Sequence, residues 1–229
     1  VENTKNNGYK FWLNRFKHAK LFFDVVRLDH FRGFEAFWVV KNYKATSAKN
    51  GKWVKGLGLE FFETLKNKNI PTFVAEDLGI ITKGVKNLID KLGIAGMKVF
   101  QFAFDGNAKN PYFPHNYTEN CVAYLGTHDN NTFIGFLENE VSPKTLKEIK
   151  NYLGQAEDAS NKQVLDMAFS VLLNSRADIV VLTMQDILCL DGNYRMNTPS
   201  TINNNWCFRL NYNYNSKELK RFLLNLNIS

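Results

Sequence analysis

Five short apolar runs, at residues 21–28, 72–75, 98–104, 122–125 and 178–184, alternate along this chain with segments of helical period. Runs of this length, rich in Val, Ile, Phe and Leu, have the composition of parallel strands covered on both faces. Parallel strands need a crossover between them, and a helix is the usual one. The intervening segments fit that role. Residues 9–20 carry Phe11, Trp12, Phe16 and Ala19 near helical spacing, and helices are also predicted over 59–68 and 85–92, the latter capped by Gly93. Ser142-Pro143 opens a helix over 144–153 with a capping residue and a first-turn proline, and Gly154 closes it. Residues 161–175 are apolar nearly all round and are expected to be buried.

The class is therefore α/β, with about five strand–helix units. A doubly wound nucleotide-binding sheet requires a glycine-rich turn after its first strand. Gly56-Leu57-Gly58 is half of such a fingerprint and stands far from a strand end. A (β/α)8 TIM-barrel suits the pattern better, because polar chemistry follows several strands instead of one switch point. A closed barrel needs eight strands and typically about 250 residues. The first strands are accordingly expected before Val1 in a longer protein, or from another chain.

Asp29, Glu76 and Asp129 each stand just after one of these runs, inside a polar turn. A carboxylate at the outgoing end of a buried strand points into the cleft above a barrel, where one acid can stay protonated while another stays ionised. Arg27 and Asp29 are two apart and share a strand face, so the guanidinium favours the ionised, nucleophilic form of Asp29. Glu76 follows Val74-Ala75, an apolar setting suited to a general acid, and His128 beside Asp129 could donate to a substrate hydroxyl. Each has a plainer reading. Asp29 could cap a helix or pair with Arg32, Glu76-Asp77 could be a solvated pair, and His128-Asp129-Asn130-Asn131 could be turn chemistry alone. His30 and His115 fit structural roles equally well. The joint occurrence after successive strands favours one acidic site.

Bulk properties narrow the partners. The net charge of +7 invites a nucleic-acid reading, but the lysines (Lys41, Lys49, Lys86, Lys91, Lys144, Lys150) are scattered and no nucleic-acid motif accompanies them. The aromatics, 19 Phe, 9 Tyr and 4 Trp, would suit the apolar flanks of sugar rings, although most of the Phe residues are expected in the core. Cys121, Cys189 and Cys207 include no CxxC pair, so neither a disulfide framework nor a zinc site is expected. Cys121 and Cys189 read as small core residues. No apolar stretch reaches membrane-spanning length and Val1–Lys5 reads as no signal peptide, so a reducing cytoplasm is the expected location.

Longer stretches carry a family signature. They are Arg27-Leu-Asp-His-Phe-Arg-Gly-Phe-Glu-Ala-Phe-Trp38, Ala75-Glu-Asp-Leu-Gly-Ile-Ile-Thr82, Gly96-Met-Lys-Val-Phe-Gln-Phe-Ala-Phe104 and Gly126-Thr-His-Asp-Asn-Asn-Thr132. Met184-Gln-Asp186, Arg195-Met-Asn-Thr-Pro199 and Asn205-Trp206 follow in order. With these the chain resembles the amylomaltases, the 4-α-glucanotransferases of glycoside hydrolase family 77, related to the α-amylase barrels. By that resemblance residues 1–229 are the C-terminal part of the barrel, lacking its first strands and inserted subdomains and ending in a short helix.

The resemblance implies Asp29 as nucleophile, Glu76 as general acid/base and Asp129 as the third carboxylate, which holds sugar hydroxyls. Arg27 supports the nucleophile, His128 contacts sugar, and Trp53 lies in a loop near the glucan. Asn197 and Asn205 give either substrate contact or structural support. The implied substrates are maltooligosaccharides and α-1,4-glucans, with no metal or organic cofactor. Retention of configuration implies Asp29 and Glu76 carboxyl groups about 5–5.5 Å apart. Leu57 and Ser200 depart from the family's Gly-Pro-Gly and Pro-Gly, which bears on loop shape. A retaining α-glucan hydrolase would use the same carboxylates. An inactive fragment or glucan-binding subunit that needs the missing N-terminal part is the alternative of a different class.

Overall fold

The computed structural model describes residues 1–40 and 47–210. The expected C-terminal helix lies outside them. The chain divides into two compact units, residues 1–97 and the remainder from Lys98.

The first unit opens with α1 (Glu2–Asn6) and α2 (Lys10–Lys20), then β1 (Val25–Leu28), α3 (Arg32–Glu35), β2 (Ala36–Val39), β3 (Lys52–Lys55), α4 (Gly58–Leu65), β4 (Thr72–Ala75) and α5 (Lys83–Leu92). β1 pairs with β4 in parallel, Val25 with Thr72 through to Leu28 with Ala75, and Val74 bridges Ala95 in parallel on the far side. β2 and β3 form an antiparallel pair. The core is largely aromatic. Phe16, Phe31, Phe34, Phe61, Phe62 and Phe73 are all buried, and the Phe34 and Phe61 rings stack with centroids 5.7 Å apart. Burying each such ring contributes about 1.5–3 kcal/mol. Local signals place α5: the Thr82 hydroxyl accepts the Val85 N–H, Val85 and Leu88 face the core, and Gly93 closes the helix in the left-handed region at φ 61°.

β5 (Gly96–Val99) carries the chain into the second unit, where it forms a sheet of order β5–β6–β7 with β6 (Cys121–Tyr124) and β7 (Ile179–Val181). β6 and β7 are parallel, Val122 opposite Ile179. The helices here are α6 (Phe133–Asn139), α7 (Pro143–Tyr152), α8 (Asn161–Leu173) and α9 (Met184–Ile187). Ser142 caps α7 ahead of Pro143, and Ser160 with Gln163 forms a reciprocal capping box on α8. The second core gathers Phe100, Leu125, Phe133, Ile149, Leu165 and Leu172, all with essentially no exposure.

The α/β class and parallel pairing are as expected, and the differences are local. The run at 21–28 forms a strand only from Val25, since Leu21, Phe22 and Phe23 complete the turn after α2 and are exposed. The run at 98–104 becomes a strand from Gly96 to Val99 followed by a 3-10 turn at Phe100–Phe102. The run at 178–184 keeps strand form only over Ile179–Val181, because Thr183 then caps α9. The hairpin β2–β3 was not anticipated. Nor is every strand covered on both faces within its unit: Val25, Ile179 and Val181 are exposed on strands that stand last in their sheets. α8 buries one face only, through Val164, Leu165, Ala168, Phe169 and Leu172, while Lys162, Gln163 and Ser170 are exposed.

Candidate active site

In the first unit, strand register sets the carboxylates. Leu28 opposes Ala75, so Asp29 and Glu76 occupy equivalent positions at the outgoing ends of neighbouring parallel strands, which run about 4.8 Å apart. The main chain locks this end: Glu76 N–H donates to Leu28 at 3.0 Å, and Phe31 N–H donates to Glu76 carbonyl at 3.1 Å. Arg27 Nη2 donates to Asp29 Oδ1 at 2.7 Å, while its Nε lies 3.3 Å from Met97 Sδ. The Asp29 side chain is 76% exposed, so this ion pair orients the carboxylate and adds little stability. Asp29 borders a hollow of about 400 Å³ that Trp12, His30, Phe34 and Phe37 also line, a size in the range of small-ligand pockets.

Glu76 is half-buried above Phe73, Val74 and Ala75, and its head is not in an apolar setting. Oε2 accepts the His30 N–H at 2.7 Å, and Oε1 accepts the Leu78 N–H at 3.0 Å. His30 reaches this position in the left-handed region at φ 45°. Asp77 turns away to accept the Met97 N–H at 2.7 Å, which fixes the far side of the loop. A Cβ at Gly96 would stand 2.7 Å from that carboxylate, so only glycine admits it. The plainer readings of these residues as a helix cap, an Arg32 partner or a solvated pair therefore do not describe the structure.

Trp53, on β3, is 52% exposed and packs edge-on against Trp38 at 5.4 Å between centroids. The Arg32 guanidinium carbon lies over its ring, 4.3 Å from the centroid.

In the second unit, β6 leads through Leu125 into the loop carrying His128 and Asp129. Asn130 Oδ1 accepts from both the N–H and the hydroxyl of Thr127 at 2.9 Å, and buried Gln101 Nε2 donates to Asn131 carbonyl at 3.0 Å. Turn chemistry thus shapes the loop, and Asp129 extends from it. Asn197 Nδ2 donates to Asp129 Oδ1 at 2.6 Å, and His128 Nε2 lies 3.4 Å from Oδ2. Arg195 holds the same residue by its main chain, Nη2 to Asp129 carbonyl at 2.6 Å, and also bonds Glu140 through Nη1 and Asn197 carbonyl through Nε. Asn131 Nδ2 donates to Glu140 as well. The His128 ring tilts against Trp206 at 5.1 Å, beside a hollow of about 90 Å³ lined by Thr127, His128, Asn131, Arg195 and Met196.

Asn197 is thus engaged with Asp129. Asn205 gives structural support, its Oδ1 accepting the Thr198 N–H and its Nδ2 donating to Thr201. His115 is structural too, bonded to Tyr152 and stacked on Phe113. Cys121 is buried and Cys189 half-buried, whereas Cys207 is exposed. Among the described residues no group of three or more His, Cys, Asp or Glu is placed to hold a metal ion.

Four supporting residues escaped the sequence reading. Arg32, Arg195 and Asp186 stand in stretches that carry the resemblance, but Glu140 acts through contacts that no local motif announces. Asp186 is buried: its Oδ1 accepts the Phe133 N–H at 2.6 Å, and its Oδ2 accepts the Thr183 hydroxyl at 2.8 Å. It thereby fixes the first turn of α6, directly after the Asp129 loop. Burial pushes its carboxyl up from the usual range, against the pull of those two bonds.

Comparison with known proteins gives a consistent picture. The family model described as "4-alpha-glucanotransferase" matches residues 1–215. The 4-alpha-glucanotransferase of Clostridium butyricum is 39% identical over 217 residues, covering 94% of this chain and 44% of that protein. The Synechocystis sp. 4-alpha-glucanotransferase is 41% identical over 212 residues, covering 91% and 41%. The solved structure of an amylomaltase from Streptococcus agalactiae in complex with acarbose superposes with a TM-score of 0.90 at 30% identity, over 99% of this chain and 45% of that one. The chain thus spans less than half the length of these relatives.

Proposed function

The chain belongs to the 4-alpha-glucanotransferase family, and from that premise we propose that it carries the reacting groups of a retaining transfer of α-1,4-glucan segments. One observation carries the reading: two carboxylates, Asp29 with its Arg27 partner and Glu76 in a main-chain clamp, at matched positions on adjacent parallel strand ends.

In this reading Asp29 attacks the anomeric carbon of a bound α-glucan while Glu76 gives its proton to the departing glycosidic oxygen. The old C–O bond breaks as a β-linked ester to Asp29 forms. Glu76, now a carboxylate, then takes the proton from the 4-hydroxyl of an acceptor glucan or glucose. That oxygen attacks the same carbon, the Asp29 ester leaves, and the α-1,4 bond is restored. This two-step course calls for carboxyl groups about 5–5.5 Å apart. Arg27 pairs with the Asp29 carboxylate and aims it. Asp129 is the third carboxylate, supported by Asn197, with His128 beside it for sugar hydroxyls, and Trp53 offers a flat face to a glucose ring. The reading places the chain in the C-terminal portion of a (β/α)8 barrel and in the cytoplasm, with maltooligosaccharides as substrates and the remaining length of its relatives as a partner. Among the described residues no helix is long and apolar enough to cross a membrane.

The test is incubation of the folded chain with maltotriose, with products separated by chromatography. Glucose together with longer maltooligosaccharides, lost in Asp29→Asn, is the expected result. Steadily rising reducing sugar without longer products would instead make the chain a retaining hydrolase. Absence of any product from folded protein would leave it a fragment or glucan-binding subunit.

A further inference from the structure

Arg32 stands at a junction to which the reading above assigns no role. It opens α3, three residues after Asp29. Its guanidinium makes two contacts of different kinds. The carbon centre lies 4.3 Å above the Trp53 ring, and Nη1 donates to the Ile80 carbonyl at 2.6 Å. Nε is buried without a hydrogen-bond partner among the described residues. An unpaired buried N–H is unfavourable, so Nε is not the group that sets where this guanidinium lies. Its position follows from reaching the ring and the carbonyl at once, a task for a planar cation that stacks and donates along different directions.

The two things it touches belong to different parts of the proposed site. Trp53 sits on the β2–β3 hairpin. Ile80 lies in the loop that begins at Glu76, and Leu78 in the same loop donates to the Glu76 carboxylate. We propose that Arg32 is a positioning residue that ties the Trp53 ring to the Glu76 loop, so that a sugar seated on Trp53 meets Glu76 at a fixed distance. This rests on the reading of Trp53 as a sugar platform and Glu76 as the acid/base.

The test is a double-variant cycle in the whole 229-residue chain with Arg32→Lys, Trp53→Phe and both. Without sugar, acrylamide quenching of Trp53 is read as the difference between each chain and its Trp53→Phe counterpart. Lysine keeps the charge and loses the flat stack, so quenching of Trp53 is expected to increase. With maltotriose, Arg32→Lys is expected to raise KM about two- to fivefold, the factor matching an exposed cation–π contact, and to leave the KM of the Trp53→Phe chain unchanged. A residue that only supports the fold would shift KM equally in both backgrounds; that result, or unchanged quenching, overturns the proposal. A folded wild type without turnover overturns the functional reading, and the quenching cycle then decides the Arg32 contact alone. If Arg32→Lys fails to fold, Trp53→Leu at its half-exposed position decides: amide exchange at Leu78 and Ile80 is expected to quicken, and unchanged exchange overturns the proposal.

Discussion

Asp186 offers a test of how the Asp129 loop is held. Phe133 begins α6, so its N–H lacks a partner within the helix, and with the residue fully buried water cannot supply one. Asp186 provides the acceptor, at 2.6 Å. Asp186→Ala removes a hydrogen bond to a charged or polarised acceptor, about 1.5–3 kcal/mol, and strands the Phe133 N–H, about 1–3 kcal/mol more. A total near 3–5 kcal/mol is expected, together with loss of transfer activity as the loop before α6 loosens. Asp186→Asn keeps an oxygen for Phe133 and should cost about 1 kcal/mol or less. The pH dependence carries a second sign. Because burial raises the carboxyl in the folded chain, the folded form binds its proton to higher pH than the unfolded form, whose value is about 4. The stability tied to this group is therefore complete below about pH 4 and falls as pH rises through the folded value. Asp186→Asn cannot ionise and removes that fall. Urea unfolding of the parent and both variants between about pH 4 and 8, with exchange of the Phe133 amide as the local probe, measures both effects. The reasoning fails if Asp186→Ala lies within about 1 kcal/mol of the parent, or if the pH slope survives in Asp186→Asn.

Asn197→Ala removes the 2.6 Å bond to Asp129, and kcat for maltotriose disproportionation is expected to fall about tenfold or more with the melting temperature little changed; equal kcat would show that Asp129 needs no such support. Ser200 holds φ 66° where the family's Pro-Gly places glycine. Ser200→Gly is expected to stabilise the second unit by about 0.5–1 kcal/mol, read as a higher melting temperature, and a lower one would refute the account of strain there.

The strand ends were readable because burial and chemistry coincide there: an apolar run stops and a carboxylate follows, at Leu28-Asp29, Ala75-Glu76 and before Asp129. Arg27 was readable through the two-residue period of a strand. The β2–β3 hairpin was not, since it pairs Trp38 with Trp53 across an intervening stretch rich in Lys and Asn, and in β3 the apolar pair Trp53-Val54 is bounded by Lys52 and Lys55, too short a run to read as a strand. Leu21–Phe23 misled for the opposite reason, being apolar without being buried. The supports of Asp129 were hidden by distance: Arg195 reaches it across 66 residues, and Asp186 reaches Phe133 across 53, in both cases to a main-chain group that has no signature in the sequence.

The clamp on Glu76 has a consequence for how this chain can vary. Both donors to its carboxylate are backbone amides, of His30 and Leu78. Side chains at positions 30 and 78 can therefore change without removing the grip on the Glu76 carboxylate, provided the replacement tolerates the turn. Proline is the one residue that deletes either donor, and at position 30 its fixed negative φ is also incompatible with the observed +45°. Since the His30 amide follows directly on Asp29, the segment bearing Asp29 itself holds the Glu76 carboxylate. The two groups therefore drift or stay together, and substitutions can retune the walls around them while their mutual spacing is inherited from the backbone.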